Sequence, residues 1–549
     1  MPQSNNDTAR RHDLDAVRSF AMLLGIALHA ALAYIGGMWI VSDHPTSSLL
    51  AVSVTAIHGF RMPLFFLLSG FFTAMLWKKR GLTSLLKHRT QRIAIPLAIA
   101  CVTIVPMMSW VSGWAITNQV PIASLPSTDA ETREPAPAND IWTVAAFGDM
   151  DQLRQFSSET EQLNTPDPNY GVTPLGWATL KNYPDAVAYL LEIGAQPSAK
   201  YKDQNTPLHT ACFFGRYEVA ELLIDAGADL SIKNATNETP TDSLNHNEQT
   251  TTFIAQMIQV PIDFELVSEG REKIRLLTET KSAPSTSPSP SSSAFNKALH
   301  VNFFHHLWFL WYLCIFVIGF GALSAFAKLL PKFSISHRLV SLPLCLLWLI
   351  PLTMSAQWFM HAQGPGFGPD TSTGIIPAAH VLMYYSIFFG FGALVYLVRG
   401  ADMRFGPPRS WTYLIPIASP FLFLGMTLEF SQGASDFINN PLLQSLLSDA
   451  FQVTYAWLMI FGFIALFESL FHRPKRWVRY MSDSSYWLYL AHLPLIIMGQ
   501  TYLQRLDVNP VAKATFLTAF VTVILLGIYQ LAIRYTPVGT LLNGKRVRP

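Results

Sequence analysis

An arginine and a histidine share one face of the first apolar segment of the chain. Arg18 and His29 are 11 residues apart, so in a helix they would lie about 20° from one line along the axis and about 16 Å from each other. Ionisable side chains inside a membrane are costly and are therefore candidates for a functional site. An imidazole there can act as a general base on a hydroxyl or carry an acyl group. The alternative is a histidine that only hydrogen-bonds across a helix interface.

A second group of polar side chains lies in the next apolar segment, where His58 and Arg61 share a helix face. Counted back from Trp77, Arg61 is about 24 Å from the cytoplasmic end of its helix, which predicts a position in the outer leaflet. An arginine at this depth must meet an anion, a carbonyl group, water or the carboxylate of another helix. Ser69 resembles a nucleophile, but no base accompanies it, and the pair Ser69-Gly70 favours a close contact between helices.

The elements that must position these groups are membrane helices. Hydrophobic residues make up 50% of the 549 residues and charged residues only 13%, against about 25% charged residues in soluble proteins. This composition excludes a disordered chain and a basic nucleic-acid binder. We therefore predict an all-α fold, a polytopic membrane bundle of about ten transmembrane helices. The ten segments that are long and apolar enough to cross a bilayer are 17–40, 49–77, 93–117, 306–327, 339–359, 375–398, 411–430, 450–470, 484–501 and 514–533.

Basic residues in the loops predict the orientation of this bundle. If the segments alternate in direction, 23 Lys and Arg residues fall on the side of the N-terminus, and only Arg505 and Lys513 lie in the short loops of the other side. Because Lys and Arg mark the cytoplasmic side, we expect a cytoplasmic N-terminus in a bacterial inner (cytoplasmic) membrane, with residues 118–300 in the periplasm. Removal of the first segment as a signal peptide is disfavoured, because its apolar run is longer than the core of a signal peptide.

Residues 118–300 differ from the rest of the chain, since they hold 24 acidic and 12 basic residues. Thr-Pro pairs recur here every 33 residues, at 173, 206 and 239. The copy at 206–211 reads Thr-Pro-Leu-His-Thr-Ala and resembles the ankyrin repeat in motif and period, in which His209 has a structural role. We predict repeats over 140–260 between linkers at 118–139 and 261–300, which contain stretches rich in Pro, Ser and Thr. An ankyrin stack usually binds a protein partner.

The motifs of the apolar segments resemble the acyltransferase-3 family. One group comprises Leu-Asp-Ala-Val-Arg at 14–18 with ten residues before His29, Arg-Met-Pro-Leu-Phe-Phe at 61–66 followed by Ser-Gly-Phe-Phe at 69–72, and Arg-Thr-Gln-Arg at 89–92. His-His-Leu-Trp-Phe-Leu-Trp-Tyr at 305–312 and Ser-Tyr-Trp-Leu-Tyr-Leu-Ala-His at 485–492 are similar to the branch around glucan biosynthesis protein C. The resemblance covers 10–117 and 301–540. It implies an integral-membrane O-acyltransferase that modifies extracytoplasmic carbohydrates.

This resemblance implies that an acetyl or succinyl group moves from cytoplasmic acyl-CoA to a hydroxyl of a periplasmic glucan or surface polysaccharide, with no bound cofactor and no metal. His29 would be the general base or a transient acyl carrier, and Asp15 would orient Arg18. The arginines assigned to acyl-CoA, since arginine suits contacts to phosphate, are Arg18, Arg89 and Arg92. The residues assigned to the acceptor side are His58, Arg61, His306, Trp308, Tyr312, Glu429 and His492. His492 can either approach His29 or merely pack, and Trp308 and Tyr312 can instead be interfacial anchors.

Two other functions are open at this point. A transporter would also have about ten spans that contain polar residues, although the sequence has no internal repeat of hydropathy that would favour one. A non-catalytic scaffold would use the ankyrin repeats to recruit a partner. The expected partners are the lipid bilayer, acyl-CoA, an extracytoplasmic glycan and a protein that binds the repeats, and nucleic acid is not expected.

Overall fold

A computed structural model describes residues 11–118, 140–281, 304–329, 336–360, 367–400, 411–430, 438 and 440–543, with short gaps inside the first two ranges and at residue 472. The regular secondary structure of these residues is entirely helical. The chain forms two compact units. Of the residues that the structure describes, the membrane unit comprises those up to 37, those within 41–115 and those from 290 onward, and the inserted unit comprises those within 116–289 and 38–40.

The α-helices are numbered here in chain order, and short 3-10 or π segments connect or extend several of them. They are α1 (His12–Ala31), α2 (Ser48–Arg89), α3 (Ile95–Asn118), α4 (Ile141–Phe147), α5 (Met150–Leu153), α6 (Pro174–Lys181), α7 (Pro184–Glu192), α8 (Pro207–Phe213), α9 (Tyr217–Asp225), α10 (Phe264–Lys281), α11 (Trp308–Phe326), α12 (Leu346–Gln357), α13 (Ala379–Arg399), α14 (Leu414–Phe430), α15 (Pro441–Leu470), α16 (Arg476–Leu503), α17 (Pro510–Ile528) and α18 (Pro537–Asn543).

Long apolar helices make up most of the membrane unit. Two shorter apolar helices, α12 and α14, coincide with further predicted spans, and α16 contains the predicted span 484–501. The all-α membrane fold is therefore confirmed, whereas the number of ten spans stays a prediction. In the described part of the chain, six segments are long and apolar enough to cross a membrane, namely His12–Tyr34, Ser48–Asn118, His305–Phe326, Ala379–Arg399, Leu442–Leu470 and Pro510–Ile533.

The 71-residue segment Ser48–Asn118 contains two of the predicted spans, because the chain reverses inside it. Gly81 interrupts α2 with φ 76° and ψ 173°, a conformation that glycine adopts without steric cost. Arg89 Nη2 donates a hydrogen bond to Thr73 Oγ1 at 2.9 Å, although residues 16 apart in a straight helix would be separated by about 24 Å. The predicted spans 49–77 and 93–117 therefore lie on separate arms of a helical hairpin.

The backbones of α2 and α13 approach each other closely at two glycines. A Cβ at Gly70 would lie 1.9 Å from the carbonyl oxygen of Phe389. A Cβ at Gly392 would lie 1.9 Å from the carbonyl oxygen of Leu67. The contact therefore requires glycine at both positions, in agreement with the helix contact that the pair Ser69-Gly70 predicts.

Helices α1 and α16 run side by side in the same direction. Arg18 Nη2 donates to the carbonyl oxygen of Ser482 at 2.9 Å. Further along both helices, the rings of His29 and His492 meet at a nitrogen–nitrogen distance of 3.0 Å. Beyond them, Gln500 Nε2 donates to the carbonyl oxygen of His29 at 2.9 Å. The shared direction agrees with the predicted alternation, in which the first and ninth spans cross the membrane in the same sense.

The inserted unit has the helix pairs expected for ankyrin repeats. Helices α6 and α8 begin 33 residues apart, at Pro174 and Pro207, and each follows a Thr whose side chain caps the helix. The side chains and backbone of Thr206 and His209 form a reciprocal capping box. His209 Nε2 also donates to the carbonyl oxygen of Glu238 at 2.9 Å. His209 therefore has the structural role that the repeat motif predicts.

The folded part of the insert extends beyond residue 260, because α10 lies within the segment 261–300 that the sequence predicts as a linker. This part of the prediction is wrong. A Cβ at Gly270 of α10 would lie 1.9 Å from the carbonyl oxygen of Gly215, so the helix packs tightly on the turn between α8 and α9. Arg271 donates from Nε to the carbonyl oxygen of Phe213 at 3.0 Å and from Nη2 to Thr251 Oγ1 at 2.8 Å. Burial lowers the pKa of Arg271 to about 10, so it is still charged at neutral pH.

Candidate active site

A cavity of about 60 Å³ lies among helices of the membrane unit. Its volume suits small reacting groups rather than a whole sugar, since a cavity needs about 10–15 Å³ by this measure to hold one water molecule. Three residues of α1 on one face, Met22, Gly25 and His29, line it together, as their helical spacing predicts. The other lining residues are Arg61, Met62, Phe65, His306, Trp308, Phe309, Tyr489 and His492.

The rings of His29 and His492 are hydrogen-bonded to each other in the wall of this cavity. His29 Nδ1 and His492 Nε2 are 3.0 Å apart, and the ring centroids are separated by 5.1 Å. The other nitrogen of His492, Nδ1, lies 3.0 Å from the carbonyl oxygen of Leu488 and 2.9 Å from that of Tyr489. The sequence leaves open whether His492 approaches His29 or only packs, and in the structure it approaches His29.

The guanidinium group of Arg61 occupies the space beside Gly25. A Cβ at Gly25 would lie 2.1 Å from Arg61 Nη1, so only glycine admits the arginine in this position. Arg61 therefore reaches α1 one turn from His29, on the side of Arg18. Its Nε is buried without a hydrogen-bond partner among the residues that the structure describes, and none of their carboxylates pairs with it. The described residues therefore contain no carboxylate that forms an ion pair with Arg61.

His306 is the third histidine of the cavity. Its Nε2 donates to the carbonyl oxygen of Leu490 at 3.3 Å, and its own carbonyl oxygen accepts from the Tyr489 hydroxyl at 2.5 Å. His306 Nδ1 is buried, and no described residue bonds to it. Since Nε2 is the donor, Nδ1 carries the lone pair of the neutral ring. Two residues that line the cavity, Arg61 and His306, therefore each have a buried nitrogen atom that bonds to no described residue.

Asp15, Arg18 and Ser482 form a polar cluster at the start of α1 and α16. Ser482 Oγ accepts from Arg18 Nη2 at 2.5 Å and donates to Asp15 Oδ1 at 3.0 Å. Asp15 Oδ1 also lies 3.7 Å from Arg18 Nη2, and the orienting role of Asp15 stays a prediction. Arg89 is close enough to Arg18 for their charges to interact, and Arg92 lies on the π segment Thr90–Ala94 that follows Arg89. The cavity itself ends at Met22, one helical turn beyond Arg18.

Three of the predicted acceptor-side residues lie outside the cavity lining. His58 Nε2 donates to the carbonyl oxygen of Pro369 at 3.0 Å. Glu429 accepts a hydrogen bond from Ser448 Oγ at 2.9 Å. Tyr312 packs edge-on against Trp308, with ring centroids 5.1 Å apart, and only the tryptophan of this pair lines the cavity.

Two residues of the site were missed from the sequence. Tyr489 precedes His492 by three residues, a spacing that places both on one helix face, so this residue could have been found. Ser482 gives no comparable signal, since it is 464 residues from Arg18. The structure also places no group of three His, Cys, Asp or Glu side chains that could hold a metal ion within the described ranges.

The model of the acyltransferase-3 family, an acyltransferase domain, matches residues 11–177 and 274–530. The chain belongs to the acyltransferase-3 family. A model of three ankyrin repeats matches residues 141–234, which lie in the inserted unit. The membership accounts for the motifs around His29, Arg61 and Arg89, which all lie inside the matched residues.

Individual relatives match shorter parts of the chain. Glucans biosynthesis protein C of Escherichia coli K12 is 38% identical over 91 residues, and the same protein of E. coli O1:K1 matches equally well. Each match covers 17% of this chain and 24% of the relative, so the chain spans about a quarter of the length of these proteins. The solved ankyrin repeat domain of Bcl-3, a member of the IkappaB protein family, is similar at 23% identity over 21% of this chain and 50% of that chain, with a TM-score of 0.19.

Proposed function

We propose that this protein is an integral-membrane O-acyltransferase that moves an acetyl or succinyl group from cytoplasmic acyl-CoA to a hydroxyl of an extracytoplasmic carbohydrate. The observation that carries the proposal is the cavity in which His29, His492, His306 and Arg61 meet. The family supports the type of reaction, and the name of the E. coli relatives supports a glucan acceptor. A periplasmic glucan and a surface polysaccharide both meet this description.

In the proposed reaction His29 acts as the general base. Its ring takes the proton of the acceptor hydroxyl while the hydroxyl oxygen attacks the carbonyl carbon of the acyl thioester. The bond between carbon and sulfur breaks, and the CoA thiolate leaves with the proton that His29 returns. Arg61 donates to the negative charge that develops on the carbonyl oxygen or to the carboxylate of a succinyl group. In a second version of the step, His29 carries the acyl group briefly.

The donor would bind at the cytoplasmic end of α1. Arg18, Arg89 and Arg92 supply positive charge there for the phosphates of CoA, and Arg18 is already oriented by Asp15 and Ser482. The acyl chain would then enter along Met22 and Gly25 toward His29. Because Arg61 occupies the space at Gly25, the guanidinium would lie beside the path of the acyl group.

Replacing His29 tests the reaction. We expect His29→Ala to lower acyl transfer by isolated membranes at least about 100-fold, the usual contribution of a general base, with normal amounts of inserted protein. Arg18→Ala should raise the KM for acyl-CoA more than it lowers kcat. His337→Ala replaces an exposed histidine and serves as the control with wild-type activity. Wild-type turnover in His29→Ala membranes would instead indicate a scaffold or a transporter.

The proposal includes an inner-membrane location, a cytoplasmic N-terminus and periplasmic ankyrin repeats, which the distribution of Lys and Arg supports. A maleimide that cannot cross the membrane tests this orientation in intact spheroplasts. In a variant whose four cysteines are replaced by serine, we expect labelling of Asp229→Cys in the inserted unit and no labelling of Lys79→Cys. The reverse pattern would overturn the orientation.

A further inference from the structure

We propose that His492 is a positioning residue that holds His29 in the one tautomer whose Nε2 can take the proton of the acceptor hydroxyl. This inference rests on the proposed acyl transfer and deepens it, because it assigns the group that prepares the base. The argument follows the hydrogen bonds from the backbone of α16 to the ring of His29.

The first step fixes the tautomer of His492. Its Nδ1 lies 3.0 Å from the carbonyl oxygen of Leu488 and 2.9 Å from that of Tyr489. A carbonyl oxygen only accepts hydrogen bonds, so His492 Nδ1 carries a hydrogen atom. In a neutral imidazole the other nitrogen then holds the lone pair. The backbone of α16 therefore makes His492 Nε2 an acceptor.

The second step determines the tautomer of His29. His29 Nδ1 lies 3.0 Å from His492 Nε2, and a hydrogen bond between them needs one donor. Because His492 Nε2 is the acceptor, His29 Nδ1 carries the hydrogen atom and His29 Nε2 holds the lone pair. His29 lines the cavity, which is where a base must meet its substrate.

Contacts on both sides of the pair hold the two helices in register. Toward the N-terminal ends of both helices, Ser482 bonds to Arg18. Toward their C-terminal ends, Gln500 Nε2 donates to the carbonyl oxygens of His29 at 2.9 Å and Ala30 at 3.2 Å. Neither helix can slide by a residue without breaking these bonds. The distance between the two imidazole rings is therefore set by the helix pair rather than by a flexible side chain.

The same bond acts during the proton transfer. When His29 Nε2 takes the hydroxyl proton, the ring becomes an imidazolium whose Nδ1–H still donates to His492 Nε2. In Ser-His-Asp triads a carboxylate does this work and selects the tautomer. A carboxylate inside a membrane is costly to bury, whereas a neutral imidazole accepts the same hydrogen bond without adding a charge. The groups that face His492 from neighbouring elements include His306, with ring centroids 5.5 Å apart, and the guanidinium group of Arg61, and the aromatic ring of Tyr489 lies near it on its own helix.

Two substitutions separate this role from simple packing. Leucine at 492 fills space but cannot accept a hydrogen bond, so we expect His492→Leu to lower kcat about 100- to 1000-fold with both KM values within about twofold. Glutamine can accept through Oε1, so His492→Gln should keep at least about a tenth of the wild-type kcat. His29→Ala with His492→Leu should be no slower than His29→Ala alone, because the two residues act as one unit. Equal losses in the Leu and Gln variants, or none in either, would overturn the assignment.

A second measurement does not depend on turnover. Solid-state ¹⁵N NMR of histidine-labelled protein in bilayers reports which ring nitrogen is protonated, and the His29 signals are those absent from His29→Ala. We expect the Nδ1–H tautomer in the wild type and in His492→Gln, and a shift toward Nε2–H in His492→Leu. An Nε2–H tautomer in the wild type would overturn the inference even if acyl transfer is present. Failure of wild-type membranes to acylate any carbohydrate would overturn the proposed function, while the NMR result would still decide the tautomer.

Discussion

His209 and Arg271 of the inserted unit and Arg61 and His306 of the membrane unit all have buried nitrogen atoms, but the two pairs are bonded in different ways. In the inserted unit, His209 Nδ1 bonds to the capping residue Thr206, and His209 Nε2 bonds to the Glu238 carbonyl oxygen. Arg271 likewise donates to the Phe213 and His246 carbonyl oxygens and to the Thr251 hydroxyl. These polar groups are satisfied by the fold that contains them.

In the membrane unit, Arg61 Nε and His306 Nδ1 are buried with no partner in the part of the chain that the structure describes. Buried polar atoms are rarely left unsatisfied in native proteins, and each exception asks for an explanation. Both residues line the cavity, and under the proposed function a substrate bound there would be their nearest new partner. The comparison shows that the hydrogen-bond partners of a buried residue indicate its role better than its residue type does.

The largest effect should come from Arg61. We expect Arg61→Met to lower acyl transfer about 100- to 1000-fold, as when one donor to a developing negative charge is lost. The amount and the thermal stability of inserted protein should be unchanged, because no described carboxylate loses a partner. Arg338→Met, at an exposed position, is the control. A destabilised Arg61→Met protein with normal turnover would assign Arg61 to structure and remove the contrast with Arg271.

Arg271 should show the opposite behaviour. Arg271→Met leaves two carbonyl oxygens and the Thr251 hydroxyl without their donor, so we expect the inserted unit to lose about 3 kcal/mol of unfolding free energy. Urea-dependent proteolysis of the full chain measures this loss. Arg275→Met, one turn further along α10 at a solvent-exposed pair with Glu272, should cost less than about 0.5 kcal/mol. Similar losses in both variants would show that the buried bonds of Arg271 contribute little.

Gly25 tests the position of Arg61 without removing its charge. A methyl group at residue 25 would displace the guanidinium, because it would lie 2.1 Å from Arg61 Nη1. We expect Gly25→Ala to lower turnover about tenfold, which corresponds to about 1.4 kcal/mol. Gly390→Ala in α13 meets open space and should leave turnover unchanged. Equal activity of the two variants would mean that the reaction tolerates a displaced Arg61.

The smallest effect is expected at His209. His209→Ala removes half of the capping box of α8, so the inserted unit should lose about 1 kcal/mol of unfolding free energy while acyl transfer stays at the wild-type level. The same proteolysis assay, run beside a transfer assay, measures both quantities. Loss of turnover without loss of stability would place this histidine in a functional role and weaken the comparison.

Relations within one helix could be predicted from the sequence. The shared face of Arg18 and His29 follows from 3.6 residues per turn, and the close contact at Gly70 follows from a pair of small residues. The ankyrin repeats follow from a fixed period. Each of these signals depends on residues that are near each other in the chain.

Relations between helices could not be predicted in the same way. The partner of His29 is 463 residues away, and spacing cannot say which of the several histidines it meets. The outer-leaflet position predicted for Arg61 rests on counting residues along α2. This count cannot show that the long side chain of Arg61 reaches Gly25 of α1. The extent of the inserted unit was missed because α10 has few apolar residues, and its burial against Gly215 depends on a contact across the fold.

The pairing of α1 with α16 has a consequence for how the protein is made. His29 enters the membrane with the first helix, whereas His492 is synthesised 463 residues later, or roughly 20 to 90 seconds later at about 5–20 residues per second. Throughout this interval the first helix sits in lipid, or against the insertion machinery, with its arginine and histidine still awaiting Ser482 and His492. If His492 prepares His29 as proposed, a chain that lacks α16 would have only weak transfer activity, because the tautomer of its base would not be selected.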